Sequence, residues 1–180
     1  ILLICESKAD AKHLLKIADT LPHPLNEICI LSTLPEIRSL LEKNGIHSMT
    51  SADYISRKDY EIINSDCIKL YSELEVNVEK DCSNSFSKCF VNMFLYYTFF
   101  AIYTIIWNAR LLQNILDQGK YSKYITYLPQ RNIDTSPWFI SEQNILHLLL
   151  CQILDDKSID HEILKRTEGG KMEYFGNSLL

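Results

Sequence analysis

The chain has 180 residues, enough for one domain with a real core, and its apolar and charged fractions are those of an ordinary globular protein. A net charge of −5 and a pI near 5.5 argue against nucleic-acid binding, which needs a basic footprint. Six cysteines fall in no CxxC pair and in no Cys/His zinc spacing, so no metal is expected. They read as small core thiols in a reducing compartment, with a disulfide framework as the alternative.

Ile1–Cys5 is a continuous apolar run of strand length, the pattern of a strand buried on both faces. No basic region precedes it and no small-residue cleavage site follows, so no signal peptide is read. Ser7 caps a helix whose apolar face is Ala11, Leu14, Leu15 and Ala18, and Pro22 and Pro24 break it. Glu27–Ser32 is the second strand. Thr33-Leu34-Pro35-Glu36 has the spacing of a capping box, leading into a helix with Ile37, Leu40 and Leu41 inside. Asn44-Gly45 ends that helix, and Ile46–Met49 is a short third strand. Strand alternating with helix implies parallel strands joined by right-handed crossovers.

A charged helix follows over about 59–75, with Ile63, Cys67, Leu70 and Leu74 as its apolar stripe, and 75–85 reads as a polar loop. From Cys89 to Trp107 no residue is charged. Nineteen such residues fit a helix buried in the fold or facing a partner, a helix touching a membrane surface, or a short membrane span. Tyr124–Pro129 is the fourth strand. Ser141 caps a last helix with Leu146, Leu149, Leu150 and Ile153 on one face, closed by Asp155-Asp156 as a solvated terminus. Residues 1–166 thus form one domain, and 167–180 a linker or frayed tail.

The fold class expected is α/β, a Rossmann-like open parallel sheet flanked by helices. Such sheets bind ligands beyond the carboxyl ends of their strands. That rule selects Glu6, Ser7 and Lys8 after the first strand, Thr33 after the second, and Gln130, Arg131 and Asn132 after the fourth. Plain capping is the competing role for Ser7, Thr33 and Glu36. Arg131 is a cation placed where an anion could dock, or a surface charge. No GxGxxG or GxxxxGK[ST] loop is present, so no nucleotide cofactor is expected. GxSxG and HExxH are absent as well. His147, on a leucine-rich helix, reads as a core histidine. A receiver-type phosphoacceptor is ruled out, because no Asp ends the third strand.

The succession ILLICES, ICILST, KNGI, SADYI, DYEIINSDCIKLYSELE, CFVNMFLYYTFFAIYTIIWNARLLQNIL, YITYLP and WFISEQNILHLLLCQIL resembles bacterial surface-polysaccharide glycosyltransferases of GT-B type, over roughly 1–165. The resemblance implies the N-terminal, acceptor-side half of a GT-B architecture, inactive without a C-terminal domain that grips the nucleotide sugar. It implies a sugar or lipid-linked acceptor as partner, and a cytoplasmic site, peripheral at the inner face of the membrane. Glu6 is the expected catalytic base, with Ser7, Lys8, Thr33, Gln130, Arg131 and Asn132 binding substrate. The alternative is a non-enzymatic interaction or dimerisation module using the aromatic helix 89–107.

Overall fold

The structure is a computed structural model that describes residues 1–21, 23–81, 85–128, 145–165 and 174–175, with backbone alone at 77–81, 85–92, 97 and 174–175. The strands are β1 (Leu2–Cys5), β2 (Cys29–Ser32), β3 (Met49–Thr50), β4 (Tyr124–Tyr127), β5 (His161–Leu164) and β6 (Tyr174–Phe175). The helices are α1 (Lys8–Ile17), α2 (Pro35–Lys43), α3 (Arg57–Asp81), α4 (Ser85–Asp117) and α5 (Ile145–Asp156). The sheet order is β3-β2-β1-β4-β5-β6. The first five strands pair in parallel and β6 runs antiparallel to β5. This is the expected Rossmann-like α/β sheet, with the strand order reversing beside β1.

The short apolar runs become strands because both faces of each are covered. Leu3 and Cys5 face α1 and α2, in a core with Ala11, Leu14, Ile17, Ile37 and Leu41. Leu2 and Ile4 face the other way, onto Ile63 of α3, Leu111, Leu112 and Ile115 of α4, and Leu146, Leu150 and Leu154 of α5. β1 is fully buried along its length, so it is the hub of both cores.

Several expectations change. Thr33 does not cap α2: Pro35 opens the helix, which makes Leu34 the N-cap and leaves no side-chain cap bond there. The Thr33 hydroxyl instead donates to the Glu6 carbonyl at 3.3 Å, tying the ends of β1 and β2 together. The third strand is Met49–Thr50 rather than 46–49, since only those two residues pair with Leu31 and Ser32. The polar stretch 75–81 is helical, with neither Gly nor Pro in it to break the helix.

The segment expected as tail also supplies β6, and β5 was not foreseen at all.

Helices α3 and α4 form an antiparallel hairpin. Asp59 meets Arg110, Tyr60 meets Trp107, and Tyr71 meets Phe99. Leu111, Leu112 and Ile115 of α4 are buried in the core on the sheet, with Tyr103, Ile106 and Trp107 packed against its margin. The rest continues past the carboxyl edge, about 18 Å from Trp107 to Leu95 at 1.5 Å per residue. Ile63 and Cys67 are buried against α4, whereas Leu70 and Leu74, expected in the same stripe, face solvent. No helix of the described residues is long and apolar enough to cross a membrane.

Candidate functional site

The hairpin leans over the carboxyl edge of the sheet and encloses a cleft of about 410 Å³. Its floor is Glu6, after β1, with Thr33 and Leu34, after β2. Its walls are Tyr60 of α3 and Tyr103, Thr104, Trp107 and Asn108 of α4. Local devices hold Tyr60, Tyr103 and Trp107. Ser56 and Asp59 cap the start of α3 reciprocally, with bonds of 2.9 Å and 3.3 Å. The Arg110 guanidinium bonds Asp59 at 2.7 Å and fixes α4 against that turn. The Ser56 hydroxyl and backbone N–H, then Arg110, hold the Asp59 carboxyl well below the usual carboxylate range. Tyr60 follows Asp59 in the chain, and its ring meets the Trp107 ring edge-on at 4.8 Å. Tyr103 stacks with Trp107 at 6.3 Å.

Glu6 has a structural task that its position in the chain does not reveal. Its two carboxylate oxygens accept the backbone N–H groups of Leu146 and His147, each at 3.0 Å. These are first-turn amides of α5, which lack partners within the helix and carry the positive end of its dipole. Burial pushes the Glu6 pKa above its ordinary 4.5, opposed by His147 and the two amides. The carboxylate is therefore an anchor for α5 as well as part of the cleft floor.

Beneath it lies a closed polar network. The Asp10 carboxylate accepts the N–H groups of Glu6 and Ser7, at 2.9 and 2.8 Å, while the Ser7 hydroxyl accepts from the Asp10 N–H at 3.2 Å. Ser7 is thus the N-cap of α1, as expected, within a full capping box. His147 lies 3.0 Å from Asp10 through Nε2 and 2.7 Å from the Thr126 hydroxyl through Nδ1. The Tyr127 N–H also points at Nδ1, at 3.5 Å, so Nδ1 is the acceptor and Nε2 bears the proton. His147 is fully buried and bonded on both nitrogens, the core histidine expected.

Of the expected site residues, the structure brings Glu6 and Thr33 together in the cleft. Ser7 is buried and committed to capping. Lys8 begins α1 and is exposed, away from the lining. Gln130, Arg131 and Asn132 lie outside the described residues. The five helical wall residues were missed. Trp107 and Asn108 do mark where the uncharged run ends, but nothing local in the sequence says that this point sits over the sheet edge.

Among the described residues no three His, Cys, Asp or Glu side chains gather as a metal ion requires.

Sheet order and cleft together define a Rossmann-like α/β protein with a ligand-sized recess at its carboxyl edge. Comparisons with protein-family models, with curated proteins and with solved structures found no significant match.

Proposed function

We propose that the cleft binds a carbohydrate acceptor, and that the chain is the acceptor-side half of a GT-B glycosyltransferase of bacterial surface-polysaccharide synthesis. The observation that carries this is the pairing of aromatic walls with a polar floor. Tyr60, Tyr103 and Trp107 offer rings to the C–H faces of a pyranose. Asn108, Thr33 and Glu6 supply an amide, a hydroxyl and a carboxylate for its hydroxyl groups. No described lining residue is cationic, which favours a neutral sugar.

The turn between β1 and α1 supports the acceptor side over the donor side. A helix N-terminus after the first strand is where a nucleotide's phosphates would rest. Here the Glu6 and Ser7 amides are already spent on the Asp10 carboxylate, an internal anion in that place. A donor nucleotide would then be gripped by another domain, and peripheral attachment at the cytoplasmic face of a membrane would fit an acceptor held there.

Titration calorimetry with neutral monosaccharides tests the reading. Binding is expected, with Trp107→Ala lowering affinity about tenfold, the size of a lost aromatic platform. Unchanged affinity in that variant, or tighter binding of a nucleoside diphosphate than of any sugar, would sink it.

The second reading, a dimerisation module on 89–107, draws on the exposure of Phe94, Tyr96 and Phe100. Its sign would be a dimer in solution.

A further inference from the structure

A second recess, of about 880 Å³, runs beside the edge strand β3, away from the cleft. Cys29, which opens β2 at the end remote from Thr33, and Met49, which opens β3, both line it and are both half-buried. Their sulfurs meet across the two strands: the Cys29 thiol donates to Met49 Sδ at 3.2 Å.

Two phenols back this pair. The Tyr121 hydroxyl donates to Cys29 Sγ at 3.4 Å and lies 2.6 Å from the Tyr54 hydroxyl, which is itself 3.3 Å from Met49 Sδ. Burial pushes both phenols above the ordinary tyrosine value, so each keeps its proton near neutral pH. An O–H aimed at Sγ favours the thiolate over the thiol, because a hydrogen bond to the charged form stabilises it.

What lies between the two sulfurs is a single proton. A soft monovalent cation can replace it with no change in charge, whereas a divalent ion would leave a net positive charge against the apolar core on which both residues pack. Zinc also asks for about four ligands, and among the described residues no three His, Cys, Asp or Glu side chains gather. A thiolate and a thioether are the donors that select copper(I). Metal–sulfur bonds of about 2.3 Å in a trigonal arrangement set two sulfurs about 4 Å apart, so the pair must open by about 0.8 Å. The unbranched, flexible Met49 side chain supplies that movement. The recess gives the ion its way in and leaves the third position to a ligand from solution.

We propose that Cys29 and Met49 form a copper(I) site at the β2–β3 edge. On binding, the S–H bond of Cys29 breaks and its proton passes to solvent, the Cu–Sγ and Cu–Sδ bonds form, and the copper stays cuprous. The site is separate from the cleft and does not depend on its carbohydrate reading.

The test uses the whole chain with carbon-13 in its methionine methyl groups, titrated with silver(I), a redox-inert substitute for copper(I). The chain has three methionines, Met49, Met93 and Met172. Silver(I) should shift the Met49 signal, which Met49→Leu identifies at nearly constant volume, and leave Met93 unmoved. In Cys29→Ser the Met49 signal should no longer shift. Anaerobic competition with bicinchoninate then counts copper(I): Cys29→Ser and Met49→Leu should each withdraw one equivalent fewer than wild type, which subtracts whatever the other thiols bind. Zinc(II) should leave the Met49 signal in place.

A Met49 signal that silver(I) does not move overturns the proposal, and that result is read on the wild-type protein whether or not a variant folds. Copper(I) uptake unchanged in Met49→Leu, with its fold confirmed by circular dichroism, also overturns it, since the thiol would then be acting without the thioether. A Met49 shift with zinc(II) equal to that with silver(I) overturns the choice of a soft monovalent ion and the proposal with it.

Discussion

Replacing Glu6 by Gln keeps its volume but removes the carboxylate, and two effects then oppose each other. Gln accepts one of the two α5 amides through its oxygen and turns its own NH₂ toward the other, which costs about 1–3 kcal/mol for a buried donor left unmet. Against this, the ionised carboxylate is itself penalised by burial. Because the folded pKa is raised, the stability linked to Glu6 is full below the ordinary carboxylate range. It is lost as pH rises through the elevated value. Glu6→Gln should therefore destabilise most near pH 4, with the gap to wild type narrowing toward neutrality. Thermal melts of the two proteins across that range read it directly, and a gap that widens would contradict the assignment. The residue scale is also where the sequence was least informative. Glu6 and the amides it holds are 140 positions apart, and no local pattern links a carboxylate after one strand to a helix that far along.

At the scale of elements, the hairpin depends on a small buried patch. Ile63 is fully buried where α3 meets α4 and the sheet. Ile63→Ala should cost about 2–5 kcal/mol, from lost transfer energy and the cavity left behind, measurable by urea denaturation. It should also loosen the cleft wall at Tyr60, visible as weaker ligand binding beyond the stability loss. Strand and helix order up to residue 50 was legible, because the apolar runs, the Ser7 cap and Gly45 agreed. The hairpin was legible in part. Between Gly45 and Gly119 there is neither Gly nor Pro, a long signal for uninterrupted helix. The polar character of 75–85 concealed it. Gly45 and Gly119 both take positive φ, 75° and 59°, where α2 and α4 end. His161–Leu164 escaped notice because HEIL sets two polar residues before two apolar ones, with neither the alternation nor the continuous apolar run of a strand.

Over the whole molecule, stability is expected to be uneven. β1 is flanked by two parallel neighbours and covered on both faces, while among the described residues the far part of the hairpin rests only on itself. Hydrogen exchange should show β1, β2 and β4 amides opening with the global free energy, and α3 and α4 beyond about Cys67 and Phe99 opening well before it. Uniform protection along α4 would mean that the projecting part is supported by something further. The central position of β1 has one more consequence, which concerns synthesis. β2 closes at residue 32 and β4 begins at residue 124. On a ribosome adding 5–20 residues per second, the β4-facing edge of β1 stays unpaired for on the order of 5–20 s. During that interval a bare, apolar strand edge is open to any passing chain, so the nascent protein should depend on a chaperone far more than the finished one does.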